Sequence, residues 1–488
     1  EDIAEVLADE QESSSSPTEG DPKAEADDTP LVPAAARKPA RVPGVLSPTR
    51  WSLVSTWMIA VLPAGALTLG AWLVGGGADF SQAITATAIA AVIFGLVIAG
   101  LTRARTPLRD TFGTAGSSVP GVLMLVLRLS VLALLAWWSS SLAAHIAALS
   151  GWWPGTLEEA QILAAVLMGG SAVAHLFVSA PVLRVTLWGS ATLGVLGALA
   201  LVVRTASEIP GLPVWEVPGD AVAVVSLAAL IVAVGVALFA PIAPNLAGLV
   251  AFRRVRAQGL WAALAATVPM AALVGFVVVL ATSAAGFAQA FLEDPIRTLV
   301  VGLGTWFPVP ALIALVLPFV GLLVMGLSSA ASSLRDMSLP GPTTLIASIV
   351  TVLFGAAVLA SFLWSDALRE ALPDLVTTLG VAIAAWAGVT AMNAMVPQRP
   401  SGHGTPAVRW GNLIGLAVAV ALGLGVTSSS VSWLSWQGFL VDFVTVEGLG
   451  GLTQGSMGVL LALAAGALAA LLSFVFSLAR KGTPRVEA

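Results

Sequence analysis

Cysteine is absent from the 488-residue chain, histidine occurs only three times, and charged residues make up only 10% of the sequence. Without cysteine the chain forms no disulfide, holds no zinc through thiolates and performs no thiol catalysis. The shortage of charge is equally informative, because a soluble domain has roughly 25% charged residues. Hydrophobic residues instead account for 57% of the chain, and the mean hydropathy is +0.94. The composition therefore predicts an integral membrane protein.

Motifs that carry catalysis are also missing from the sequence. There is no Walker loop, no His-Glu-x-x-His motif, no nucleophile elbow and no pair of carboxylates inside an apolar run. His145 and His175 have no second ligand at metal-binding spacing. The arginine clusters are short and border the apolar runs, which is typical of membrane topology rather than nucleic-acid binding. We therefore expect no enzyme activity, no metal site, no bound cofactor and no nucleic-acid partner.

The first 47 residues differ from the rest of the chain. Between Glu1 and Asp28 there are eleven acidic residues, one lysine and a run of four serines. Such a segment buries too little apolar surface to offset the entropy of ordering it. We predict a disordered acidic cytoplasmic tail over 1–47, a transmembrane permease-like domain over 48–480, and a second cytoplasmic tail over 481–488.

Apolar runs long enough to cross a hydrocarbon layer of roughly 30 Å as a helix recur through the transmembrane region. They predict an all-α membrane fold of about twelve spans. The two longest spans, 221–251 and 298–334, require a tilt or a break. The predicted spans are 52–76, 80–102, 120–148, 159–178, 185–203, 221–251, 259–283, 298–334, 343–364, 375–396, 410–427 and 456–478.

Lysine and arginine set the orientation of these spans. With the amino terminus inside, the inner segments from Arg37 onward hold 17 basic residues and the outer segments hold three. Acidic residues in the same part of the chain show the reverse bias, with 13 outside and three inside. We therefore predict a multi-pass protein of the plasma membrane with both termini in the cytoplasm. Arg128 is the only charge away from the end of a predicted span, and we expect it to snorkel to the cytoplasmic face. The alternative is that it acts as a counter-charge.

Two proline breaks suggest an internal repeat. The first span is interrupted at Leu62-Pro63-Ala64-Gly65, and the sixth between Ala240 and Gly248, where the sequence contains two prolines. Paired broken helices often mark the binding site of a transporter with an inverted repeat. An offset of five spans predicts repeat one over 51–204, repeat two over 221–397, and two extra helices over 410–478. The alternative is that each break is an ordinary proline kink.

Three stretches resemble the nucleobase:cation symporter family, the purine and cytosine permeases. The first runs from Phe80-Ser81-Gln82-Ala83 to the loop Thr106–Gly121, the second is Pro244-Asn245-Leu246-Ala247-Gly248 with Arg253-Arg254, and the third is Ala384-Ala385-Trp386-Ala387-Gly388-Val389 leading to Arg399. The resemblance covers roughly residues 50–478 and suggests a divergent member. It implies a leucine-transporter-type fold with a five-plus-five inverted repeat and two extra C-terminal helices.

The resemblance also implies where the substrate and a coupling ion would bind. Several polar pocket residues of the family are replaced: its aspartate and arginine after span six by Asn245 and Gly248, its aromatic residue in span six by Val236, and its glutamine in span three by Ser141. The implied substrate-binding residues are Trp137, Ser141, Val236, Asn245, Ser332 and Ser333. The implied sodium ligands are Pro63, Ala64, Ser328 and Ser329. The alternative for the serines is helix packing, and for Trp137 a place in the core.

Two functions follow from these observations. The first is a secondary-active permease that takes up nucleobases or related small heterocycles by alternating access, with sodium as the implied coupling ion. The second is a degenerate permease that serves as a non-transporting membrane scaffold or regulator. The predicted partners are a small-molecule substrate and membrane lipid, and the sequence predicts no particular oligomeric state.

Overall fold

The structure is a computed structural model, and it describes residues 64–104, 107–178, 180–206, 213–243, 258–283, 308–337, 342–396, 407–441 and 451–482, with a few isolated residues between these ranges. The predicted tail 1–47, Pro63, Asn245 and residues 483–488 of the second predicted tail lie outside the described residues, whereas Lys481 and Gly482 belong to the last helix. Every regular element in these ranges is helical.

Twelve long helices, α1 to α12, correspond to the twelve predicted spans within the described part of the chain. Nine of them are long and apolar enough to cross a membrane, and two shorter apolar helices, Val185–Gly197 and Trp410–Val426, accompany them. A short helix, Pro107–Phe112, lies between α2 and α3. The twelve helices are α1 Ala64–Gly75, α2 Phe80–Leu101, α3 Ser118–Leu149, α4 Leu157–Ala174, α5 Ala180–Ala206, α6 Ala221–Phe239, α7 Gln258–Ser283, α8 Leu317–Asp336, α9 Thr343–Leu363, α10 Ser365–Met395, α11 Trp410–Val426 and α12 Gly451–Gly482.

Acidic and hydroxyl side chains begin three of these helices at the predicted outer face. Asp79 and Glu159 take part in capping boxes at the starts of α2 and α4, and the Asp220 carboxylate accepts the first backbone N–H groups of α6. A carboxylate at a helix N-terminus satisfies free donors and complements the helix dipole. The acidic residues predicted to lie outside the membrane therefore have a local structural use.

The helices form two packed groups, one of α1, α2, α6 and α7 and the other of α3, α4, α8 and α9. Glycines allow close contact inside each group: Gly70 of α1 lies against Val277 of α7, and Gly326 of α8 lies against Leu132 of α3. Each group combines equivalent helices of the two predicted repeats. We call the first group the bundle and the second the framework.

Both long predicted spans are broken. α6 ends at Phe239, and a turn follows in which the Ile242 N–H donates to the Phe239 carbonyl at 3.1 Å. α8 is preceded by a turn of π-helix, Leu312–Val316, which itself follows a single helical turn. Irregular turns of this kind often occur at functional sites. The π-helical turn also packs against α5.

The two C-terminal helices pack closely against the rest of the protein. α12 lies along α10 and also contacts α6 and α11. A Cβ atom at Gly423 of α11 would come within 2.6 Å of Val381 in α10 and 2.8 Å of Ala462 in α12. Small residues are what allow membrane helices to approach this closely. α11 and α12 therefore hold α10 in place.

Candidate functional site

Arg128 lies inside the protein rather than at its surface. It is on the first third of α3, and only 2% of its surface is exposed. The prediction that it snorkels to the cytoplasmic face is wrong. Its side chain instead reaches α8, because two oxygen atoms on that helix accept its N–H groups.

The serine run of α8 supplies these acceptors. Arg128 Nη1 donates to the Ser329 carbonyl oxygen at 3.0 Å and also to Ser333 Oγ. The same carbonyl accepts the hydroxyls of Ser332 at 2.8 Å and Ser333 at 3.1 Å. Hydrogen bonds to a charged donor are stronger than neutral ones, and more so at low dielectric. The guanidinium therefore fixes α3 to α8 at this level.

An aromatic ring of α10 borders the same guanidinium. The Arg128 Cζ atom lies 5.6 Å from the ring centroid of Trp386, which is fully buried. A cation over the face of tryptophan is attracted by the ring quadrupole, and more so when water is excluded. Trp386 belongs to the Ala-Trp-Ala-Gly-Val motif that suggested the family. The tryptophan of this motif therefore contacts the buried guanidinium of Arg128.

Ser329 also connects α8 to the break after α6. Its hydroxyl donates to the Pro241 carbonyl oxygen at 2.7 Å. Ser328, by contrast, donates at 2.9 Å to Val324, one turn earlier in its own helix. The bond from Ser329 joins the framework to the bundle. We call Arg128, Pro241, Ser329, Ser333 and Trp386 the Arg128 cluster.

The predicted substrate residues of α3 lie further along the helix, toward the end predicted to face outward. Trp137 is buried, and its carbonyl accepts from Gln161 Nε2 of α4 at 3.4 Å. Its neighbour Trp138 is half-buried and lies edge-on to Phe319 of α8, with 5.5 Å between ring centroids. Ser141 is half-buried one turn beyond Trp137, and its carbonyl lies 2.8 Å from His145 Nδ1.

The predicted position in α6 is packed by apolar groups. Val236 is 0% exposed. Beside it, Gly235 faces Phe94 of α2, whose ring lies 5.7 Å from that of Phe239. These side chains are all apolar. Of the predicted ion ligands, Ala64 begins α1.

Polar side chains tie the short helix Pro107–Phe112 to α10 and α11 at the inner end of the molecule, the end predicted to face the cytoplasm. Asn393 Nδ2 donates to the Asp110 carbonyl at 3.1 Å and Asn412 Nδ2 to the Thr111 carbonyl at 2.6 Å. Arg409 donates to Asn393 Oδ1 at 3.2 Å. Burial lowers the pKa of Arg409, and the charge of nearby Asp110 opposes that shift.

A carboxylate within α10 was missed by the sequence reasoning. α10 begins at Ser365, so Asp374 lies within the helix, before the predicted span 375–396. Its carboxylate accepts the Ser429 hydroxyl at 2.6 Å and the Ser430 N–H at 2.8 Å. It therefore ties α10 to the segment after α11. No group of three or more acidic or histidine side chains suited to a metal occurs in the described ranges.

Comparisons with known proteins identify the fold. No protein-family model matches the chain, and no curated protein sequence does. Solved structures do match. Mhp1, a nucleobase-cation-symport-1 family transporter in a closed conformation with bromovinylhydantoin bound, is 16% identical, with 88% of this chain and 93% of that chain covered and a TM-score of 0.54. The same protein in its inward-facing conformation also matches with a TM-score of 0.54.

A substrate-bound, outward-open Na+-coupled sialic acid symporter is 12% identical and matches over 87% of this chain and 89% of that chain, with a TM-score of 0.57. The chain has the fold of these symporters. The predicted all-α, leucine-transporter-type membrane fold is therefore confirmed, and so, at the level of fold, is the resemblance to the nucleobase:cation symporters. Both neighbours are transporters rather than enzymes.

Proposed function

We propose that this chain is a secondary-active transporter that moves a small organic solute across the membrane by alternating access. The observation that carries the proposal is the junction between the bundle and the framework. There, one hydroxyl of α8 holds the carbonyl beside the α6 break, at 2.7 Å. A single hydrogen bond of this kind contributes only about 1 kcal/mol net, so it can break and re-form as the bundle moves.

The proposed substrate is a nucleobase or a related flat heterocycle. Supporting it are the two adjacent tryptophans of α3 and Phe319 of α8, because aromatic faces stack on flat ligands. The ligand of Mhp1 is a substituted hydantoin, which is also a small ring. The residues we propose for the substrate are those that the resemblance implied, with Trp137 as the ring that would stack.

The position for a cation at α8 has two candidate occupants. The first is a sodium ion held by Ala64, Pro63, Ser328 and Ser329, which would couple transport to the sodium gradient; the Na+ coupling of the sialic acid symporter supports it. The second is the charge of Arg128, which stays with the protein, so that the gradient of another solute would have to drive transport. In either case we propose that the amino and carboxyl termini face the cytoplasm, as the charge bias indicates.

A ligand panel tests the function. The full chain is purified in detergent, and its thermal unfolding is followed with nucleobases, nucleosides, hydantoins and vitamins, in sodium and in potassium salts. A ligand that binds only the folded state raises the apparent melting temperature. We expect at least one heterocycle to do so, and to lose its effect in Trp137→Ala but not in Trp152→Ala, whose side chain is 53% exposed.

The second candidate is the non-transporting scaffold. It is favoured by Val236, a buried apolar residue that stands where the family has the aromatic residue that contacts the heterocycle. A panel in which no heterocycle stabilises the protein, followed by no uptake into proteoliposomes, would place this candidate ahead of transport.

A further inference from the structure

We infer that Arg128 is a resident cation that takes the place of an exchangeable sodium ion at α8, so that transport by this chain does not depend on sodium. The inference rests on the proposed function. Its test measures ion binding rather than uptake, so the two can fail separately.

Arg128 places a positive charge among oxygen atoms of α8. The guanidinium lies between α3, α8 and α10, and it contacts the carbonyl and the hydroxyl of serines one turn apart on α8. These are the oxygen types that a sodium ion would need. A tryptophan face on the opposing helix adds a further group that favours a cation. The oxygen atoms and the tryptophan ring of the cluster therefore favour a positive charge, and the Arg128 side chain supplies it.

The serines predicted to bind sodium already take part in hydrogen bonds. The Ser329 carbonyl already accepts from Arg128, Ser332 and Ser333. The Ser329 hydroxyl is turned toward Pro241 and the Ser328 hydroxyl toward its own helix. A sodium ion would have to compete with these three donors for the Ser329 carbonyl, whereas the two hydroxyls, which donate, keep their lone pairs.

The positive charge of Arg128 would repel a sodium ion bound nearby. Arg128 Nη1 is 3.0 Å from the Ser329 carbonyl oxygen, the two oxygens of a serine are at most about 4 Å apart, and a hard cation sits about 2.4 Å from its ligand oxygen. An ion on the Ser329 hydroxyl would thus lie within about 9 Å of the guanidinium. At an effective dielectric constant of about 20, two positive charges at this distance weaken sodium binding about 20-fold.

Sodium itself is the probe in the test. Thermal unfolding of the purified full chain is followed by its tryptophan fluorescence in sodium chloride and in potassium chloride at equal ionic strength, about 150 mM. Both salts screen charges equally, so a difference between them reports specific sodium binding. The native chain and Arg128→Lys, which keeps the charge, should unfold identically in both salts.

Removal of the charge should create a sodium site. Arg128→Met should be stabilised by sodium over potassium in a saturable manner, with sodium affinity about 20-fold above that of the native chain. Adding Ser329→Ala should abolish that response. The matched control is Arg103→Gln, because Arg103 is exposed beyond the end of α2. It should behave as the native chain does.

Two results overturn the inference. One is sodium-specific stabilisation of the native chain, and the other is a folded Arg128→Met protein without any sodium response. If Arg128→Met does not fold, Arg128→Gln, which keeps hydrogen-bond donors, replaces it. If neither neutral variant folds, the native chain decides, since a sodium-specific shift of its unfolding refutes the resident cation. A purely structural arginine would not alter the preference between the two salts.

Discussion

Ser328 and Ser329 are adjacent on α8, yet the same substitution should affect them very differently. Ser329 Oγ donates to the buried Pro241 carbonyl across the junction between framework and bundle, whereas Ser328 Oγ donates to a carbonyl of its own helix. Ser329→Ala leaves the Pro241 carbonyl without this donor, and an unsatisfied buried polar group costs about 1–3 kcal/mol. Ser328→Ala removes a local bond and should cost at most about 0.5 kcal/mol.

Thermal unfolding of the two purified variants, followed by tryptophan fluorescence, measures this difference. Ser329→Ala should unfold clearly below the native chain, and Ser328→Ala close to it. Ser329→Ala should also increase the rate of proteolysis at the α6 break, because the hydrogen bond from the framework to that segment is lost. Equal destabilisation of the two variants, or a larger effect at Ser328, would refute the assignment of the junction to Ser329.

Two further predictions concern packing. The buried Thr390 hydroxyl of α10 has no hydrogen-bond partner among the described residues, so Thr390→Val should raise the free energy of chemical unfolding by about 1 kcal/mol. Thr87→Val, which removes a hydroxyl that donates to the Ala83 carbonyl at 2.7 Å, should not stabilise the protein. Equal effects of the two substitutions would contradict this prediction. Gly423→Ala should destabilise the contact of α11 with α10 and α12 by about 1–3 kcal/mol through overpacking. Gly355→Ala, with nothing within 4 Å of the new Cβ, should be neutral or slightly stabilising. A tolerated Gly423→Ala would show that the helices are less tightly packed.

The helices could be predicted from the sequence because each is a long apolar run, and such runs have one stable solution in lipid. The α6 break could be predicted as well, since Pro241 cannot continue the helix without losing a hydrogen bond. The start of α10 could not be predicted from hydropathy. Its first turns carry acidic residues, including Asp374, so they lie outside the apolar run although the backbone there is helical.

The Arg128 cluster was beyond sequence reasoning for a different reason. The partners of Arg128 on α8 are 201 and 205 residues away in the chain, and no local period relates them. An arginine inside an apolar span was the available signal. On a single helix in lipid, snorkelling costs less free energy than burial of the charge. Only the packing of α3 against α8 and α10 shows that the side chain points inward.

Labelling of single cysteines tests alternating access most directly, and the native chain has no cysteine to interfere. Ser141 is half-buried in the half of α3 predicted to face outward, and Ser332 is half-buried toward the end of α8 predicted to face the cytoplasm. Ser141→Cys and Ser332→Cys are each reconstituted in oriented vesicles and treated with an impermeant maleimide from either face. Transport predicts that Ser141→Cys reacts from the outer face, that Ser332→Cys reacts from the inner face, and that adding Ser329→Ala changes the two rates in opposite directions. Two unreactive positions, or two rates that change together, would contradict the account.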